Sequence, residues 1–146
     1  MKRHEALIPL SDEHHQGLIW SKRFREMPSD MSADETRDLV NEFMPVWHSE
    51  INPHFQKEEQ LLLPLFARTG VSLPDSVPEM LEQHIFIRRD VLLLRDSPGV
   101  EIMVRLGSLL QDHIRLEERD VFPFIERESN NALLTRIGQA LRSEDA

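Results

Sequence analysis

The chain has no cysteine, no tyrosine, only five glycines and no long uninterrupted apolar run. Without cysteine there is no disulfide, thiolate metal site, iron–sulfur cluster or cysteine nucleophile. Any bound metal must therefore be held by nitrogen and oxygen, which turns attention to the seven histidines. Scarce glycine, absent tyrosine and abundant leucine suit helices better than a sheet of β-branched and aromatic residues. No stretch predicts a membrane helix. The opening Met1-Lys2-Arg3-His4-Glu5 lacks the apolar core of a secretion signal, so a cytoplasmic protein is expected. Basic charge is also short. A formal net charge of −9 argues against nucleic acid and against an anionic membrane surface as partners.

What remains is 146 residues, 40% hydrophobic and 29% charged, the size and balance of one globular domain (1–146) with its own core. Capping and breaking residues divide it into helices. The first is expected from about Pro9 or Ser11 to Met27, capped by Ser11 or Asp12 and ended by Pro28-Ser29-Asp30. The second begins near Ser32, where Ser32-Ala33-Asp34-Glu35 has capping-box form, and extends towards Arg68. Pro45 and Pro53 within it predict a kink or break. After Thr69-Gly70 and a loop holding Pro74 and Pro78, a third helix runs to Arg95. The fourth covers about Val100 to Arg127, with Pro123 near its end, and Ala132 to Leu141 forms a short amphipathic fifth. The connection lengths predict an all-α protein, an up-down four-helix bundle with a short extra C-terminal helix.

An internal repeat runs through these segments. His54, Glu58, Glu59 and Pro64 recur at the same offsets as His113, Glu117, Glu118 and Pro123, with apolar residues around each proline. Each copy lies on the second helix of a pair. A further histidine stands on the first helix of each pair, His14 or His15 in one half and His84 in the other. Core packing alone does not account for polar residues kept in register.

Residues four apart on a helix lie about 40° apart around its axis and about 6 Å along it. His54 and Glu58 therefore share a face, as do His113 and Glu117, and each pair can reach a cation inside a bundle. The remaining ligands would be histidines from the partner helices, and two central carboxylates can bridge two ions. Imidazole and carboxylate without thiolate suit iron, manganese or zinc. On the first helix, Leu10, Leu18 and Phe24 mark the inward stripe, which favours His14 over the alternative His15 as ligand. Glu59 and Glu118, turned about 100° away, serve as surface charge or as support for the ligands. Leu61, Leu62, Leu63, Leu65, Phe66, Val121, Phe122, Phe124 and Ile125 are read as core, with Trp20 and Trp47. His48 is a surface or interface residue, and His4, ahead of the first helix, is disordered or solvated.

In order, Glu13-His14, His54-x-x-x-Glu58, Glu82-Gln83-His84 and His113-x-x-x-Glu117 with Val121-Phe122-Pro123 resemble the hemerythrin-like (HHE cation-binding) proteins over about Leu10 to Glu126. The resemblance implies a non-haem di-iron centre held by His14, His54, Glu58, His84, His113 and Glu117. The two carboxylates and an exogenous oxo or hydroxo group would be its bridges. It departs at Arg88, where the oxygen carriers have a further histidine four residues after the first on that helix. One ligand fewer leaves a coordination position for water, oxygen, nitric oxide or peroxide. Arg88 itself is read as a surface residue paired with a nearby acid. The leading expectation is a di-iron protein that binds or senses oxygen, nitric oxide, redox or iron state, through a separate protein partner or a homodimer. The alternatives are a peroxide- or nitric-oxide-consuming enzyme, or an interaction bundle with zinc or no metal.

Overall fold

The computed structural model describes residues 2–144, and among these every regular element is helical. Helix α1 spans Ile8–Arg25, α2 residues 33–67, α3 Ser76–Asp96, α4 residues 100–128 and α5 Asn131–Glu144. The capping box that opens α2 is present in full. Ser32 Oγ accepts from Glu35 N–H at 3.1 Å, and the Glu35 carboxylate accepts from Ser32 N–H at 3.2 Å. Helix α1 begins at Ile8, one residue before Pro9, and is not capped by Ser11 or Asp12. Pro9 occupies its first turn, where the missing N–H costs nothing, and Leu7 precedes it without a side-chain cap. The Ser11 hydroxyl is used elsewhere, donating to Glu118 at 2.8 Å.

The second helix is not broken at its prolines. Among the described residues three turns are wider than α, each closed by a bond to the carbonyl five residues back. Asn52 N–H reaches Trp47 O, Leu63 N–H reaches Glu58 O, and Phe122 N–H reaches Glu117 O. These π turns, Trp47–Ile51, Glu58–Leu62 and Glu117–Val121, each end two residues before a proline: Pro53, Pro64 and Pro123. A proline inside a helix offers no N–H and its ring collides with a carbonyl of the preceding turn. Widening that turn moves the carbonyl aside, so helical residues continue past the proline. The sequence repeat is thus also a backbone repeat, with a π turn opening at Glu58 in one copy and at Glu117 in the other.

Two apolar clusters form the core. One gathers Trp20, Phe24, Phe43, Trp47, Phe55, Ile87, Leu94, Met103 and Leu106; the other gathers Leu7, Leu10, Leu62, Phe66, Met80, Val121, Phe122, Ile125, Ile137 and Leu141. Each of the first four helices contributes to both, and in alternating order. Helices α1 and α3 pass from the second cluster to the first, α2 and α4 from the first to the second. Between the clusters every helix places its polar residues: His14, His54 with Glu58, His84, and His113 with Glu117. Trp20 and Trp47 are core, as expected. Leu18 is not. It is 43% exposed, because eight residues at about 100° each turn it about 80° from Leu10. The inward stripe of α1 is instead Leu10, His14, Gly17, Ser21 and Phe24. Helix α5 closes the second cluster with Ile137 and Leu141.

Candidate metal centre

Helices α1 and α4 approach closely enough that a Cβ on Gly107 would lie 2.7 Å from Ser21 O and 3.0 Å from Arg25 N. Ser21 Oγ donates to Gly107 O at 2.6 Å. This contact carries His14 of α1 against Glu117 of α4, with Nε2 and Oε1 at 2.7 Å. On α4 itself, His113 Nε2 lies 3.0 Å from Glu117 Oε2. From α2, His54 Nε2 is 3.4 Å from Glu58 Oε2 and 3.7 Å from Glu117 Oε1. From α3, His84 Nε2 is 3.1 Å from Glu58 Oε1 and 3.8 Å from Glu117 Oε2. All six residues are buried, both glutamates completely. His15, the alternative on α1, is exposed, and so is His48.

All four imidazoles turn Nε2 inward. The six residues form two overlapping groups, His14, His54, Glu58 and Glu117, and Glu58, His84, His113 and Glu117. Within each group, one ligand atom per residue lies within 4.8 Å of the others, and both glutamates belong to both groups. His54 Nε2, Glu58 Oε2, His113 Nε2 and Glu117 Oε2 are buried with no hydrogen-bond partner. Unpaired buried polar atoms are costly unless something else satisfies them. Four imidazole nitrogens around two carboxylates, with four of the inward atoms orphaned, suit metal cations, and Glu58 and Glu117 are common to both groups.

The outward face of three of the four rings is also specified. His54 Nδ1 donates to Glu13 of α1 at 3.0 Å, His84 Nδ1 to Glu59 of α2 at 2.6 Å, and His113 Nδ1 to Gln83 of α3 at 2.8 Å. Such partners fix the tautomer and orientation of a metal-ligating imidazole. Glu118 of α4 stands 3.7 Å from His14 Nδ1, beyond hydrogen-bond reach, and that nitrogen is buried with no hydrogen-bond partner. Cations hold the carboxylates in turn: Lys57 on Glu13 at 2.9 Å, and Arg88 on Glu59 at 2.7 and 3.2 Å. Arg88 also donates through Nε to Asn52 Oδ1 at 2.9 Å. It is therefore paired with an acid, as expected, and does not point between the inward nitrogens.

Glu59 supports His84, whereas Glu118 is held by Ser11 at 2.8 Å and Arg3 at 3.5 Å. The supporting roles of Glu13 and Gln83 are absent from the sequence reading, which quotes both only as neighbours of His14 and His84. Their signal was that adjacency: a residue one step from an inward ligand points sideways, to the next helix. His4 is a correction. It is partly buried, its Nδ1 accepting from Ala6 N–H at 3.0 Å and its own N–H bonding Glu126 at 3.2 Å.

Burial opposes charge throughout the site, yet the opposite charges prevail. Burial would raise Glu117, but His113, His14 and His54 hold it well below the usual carboxylate range. Burial would lower His54 and His84, but the glutamates around them raise His54 well above its ordinary value and His84 to about 9. In the metal-free cluster the raised His54 and His84 thus favour their protonated forms beside a Glu117 that favours its charged form.

Residues 8–125 match the family model of the hemerythrin HHE cation binding domain. The chain belongs to that family. Comparison with curated proteins and with solved structures returned no match. The match covers the four helices that surround the cluster and leaves α5 outside it. A hemerythrin-like cation-binding domain with a buried His/Glu cluster is therefore what sequence, geometry and comparison agree on.

Proposed function

We propose that this hemerythrin-like chain is a non-haem di-iron protein that binds or senses oxygen, nitric oxide or redox state. His14, His54, Glu58, His84, His113 and Glu117 would hold the metal pair. The observation that carries the reading is the set of four inward Nε2 atoms around two shared carboxylates, with four buried atoms unpartnered. The reading takes α1 to α4 as an up-down four-helix bundle, supported by the alternating order in which they visit the two core clusters. It takes the chain as one cytoplasmic domain that signals through a protein partner or a second copy.

Iron held there would supply reversible one-electron chemistry and affinity for small diatomic ligands. The chain's own residues would exclude larger ones. A cavity of about 20 Å³ touches His14, His54 and His113, and its other walls include Gly17, Ile51, Phe55, Leu110 and Ile114. That is space for one water-sized molecule in a largely apolar setting. Glu58 and Glu117, common to both groups, would offset the charge of cations held there, and Glu13, Gln83 and Glu59 accept the Nδ1 protons and keep them facing outward.

Elemental analysis of protein purified anaerobically from iron-replete cells, with its ultraviolet–visible spectrum, tests this. Two irons per chain with oxo-to-iron charge-transfer bands after exposure to air are expected. Zinc alone, or no metal in a folded sample, would remove the redox reading and leave a helical interaction domain. His54→Ala and Glu117→Ala are expected to abolish stoichiometric iron, and full iron content in both would sink this ligand set.

A further inference from the structure

Helix α3 buries one side, with Met80, His84, Ile87, Val91 and Leu94, and leaves the other bare. At about 100° per residue, Ile85, Arg89, Glu82, Leu93 and Phe86 fall in that order within an arc of about 100° on the bare side, with Leu92 at its edge. Ile85 is 64% exposed, more than any other large apolar side chain described, and Leu92 and Leu93 are 51% and 43% exposed. Glu82 is exposed as well, and Phe86 partly so. Three pairs stand seven residues apart: Glu82 with Arg89, Ile85 with Leu92, and Phe86 with Leu93. The face is thus an apolar patch two turns long, crossed by one acid and one base. Contiguous exposed apolar surface marks an interaction site where scattered residues do not.

The two charges say what covers it. Two copies of α3 laid antiparallel about a two-fold axis between Ile85 and Phe86 bring Glu82 of each level with Arg89 of the other, because both residues lie equally far from that axis. Ile85 then meets Phe86 across the axis, on both sides alike. Laid parallel in the same register, the helices would set Glu82 against Glu82 and Arg89 against Arg89, which like charges oppose. Arg89 is available for the antiparallel pairing. Its Nε donates to Asp90 at 3.1 Å and its guanidinium lies 5.0 Å over the Phe86 ring, which leaves the side chain 48% exposed. We propose that the outward face of α3 is a self-complementary dimerisation surface, covered by the same face of a second copy and fixed in register by reciprocal Glu82–Arg89 pairs. The pairing is independent of which cation the His/Glu cluster holds. One helix per copy makes a contact smaller than the standard of about 800 Å² per partner, so the dimer is reversible rather than permanent.

Sedimentation equilibrium of the full chain, from about 1 µM to about 1 mM, should show a monomer–dimer equilibrium. Ile85→Lys should weaken it about 10-fold or more. Glu82→Arg should also weaken it, by setting a second guanidinium opposite Arg89 of the other copy. The decisive arm mixes two variants. Glu82→Arg and Arg89→Glu chains should each stay monomeric alone and form a mixed dimer when combined, since each then offers the charge that the other lacks. Helix content by circular dichroism and metal content should match the parent in every variant, because these side chains lie on the side of α3 away from the cluster. Ile85→Lys keeps the test decisive should Arg89→Glu fold poorly. A parent chain that is monomeric over the whole range would overturn the pairing and leave the face to another partner. A dimer indifferent to Ile85→Lys and Glu82→Arg, or folded charge variants that fail to pair when mixed, would overturn it equally.

Discussion

Glu117 is completely buried and touched by imidazoles from α1, α2 and α4, so its charge and theirs depend on each other. The pH dependence of the metal-free fold follows. A histidine raised from 6.5 to about 9, as His84 is, stabilises the fold fully below 6.5 and ceases to as pH climbs through about 9. His54, raised well above 6.5, acts in the same direction. Glu117, lowered well below 4.5, stabilises above 4.5 and loses that contribution as pH falls. With chelator present, the thermal midpoint should therefore fall as pH is raised from 6.5 to 9. A midpoint that is flat or rises over that range would contradict this charge pattern. Cations compete with the same protons, so their apparent affinity should rise across this window, with proton release on binding measurable by calorimetry in buffers of different ionisation enthalpy.

At the scale of elements, two devices position the ligands. The π turns let Pro64 and Pro123 stand inside long helices just beyond Glu58 and Glu117. The near contact of α1 with α4 rests on Gly107, whose missing Cβ leaves room for the backbone of α1 at Ser21 and Arg25. Backbone cannot yield as the end of a side chain can, so Gly107→Ala should force the helices apart. A loss of about 1–3 kcal/mol in chemical denaturation is expected. Because the same contact brings His14 to Glu117, the variant should also bind cations more weakly. A variant as stable as the parent would show that the pair of helices tolerates a wider spacing. Asp90, fully buried on α3 and held by Arg105 of α4 at 2.7 and 2.9 Å, joins the other pair of helices near the first core cluster.

Across the whole molecule, the polar layer sits between two apolar clusters and draws a ligand from each of four helices. Cation binding should therefore tie the helices together. At a free cation concentration 100 times the dissociation constant, the gain is about 2.7 kcal/mol per site. The metal-loaded protein should unfold at a higher temperature than the chelated one in scanning calorimetry, and coincident transitions would argue that the cluster is structurally idle. Helix α5 lies outside the matched family segment but completes the second cluster, with Ile137 wholly buried. Ile137→Ala should cost about 2–5 kcal/mol in a denaturant titration. Metal stoichiometry should be unchanged at temperatures where the variant stays folded, since α5 supplies none of the clustered ligands.

The sequence by itself determined the helical class, the approximate helix limits and the residues that meet at the centre. These follow from local rules: capping residues, breakers, the spacing of His54 with Glu58 and of His113 with Glu117, and their repetition. It also placed Trp20 and Trp47 in the core. Only the tertiary structure decided what depends on how one helix faces another. Leu18 looked inward by its chemistry but is turned out by the rotation of α1, the same rotation that buries His14 and exposes His15. Pro45 and Pro53 read as a kink or a break, yet helical residues run through both, and at Pro53 a widened turn, which a one-dimensional pattern does not show, accommodates the ring. Glu13 and Gln83 gained their roles only when α2 and α4 packed beside them, since a hydrogen bond across 41 or 30 residues has no local signature. Chain-local geometry set His54 beside Glu58 and His113 beside Glu117, whereas the packing of neighbouring helices gathered them into one cluster and chose the groups that back their rings.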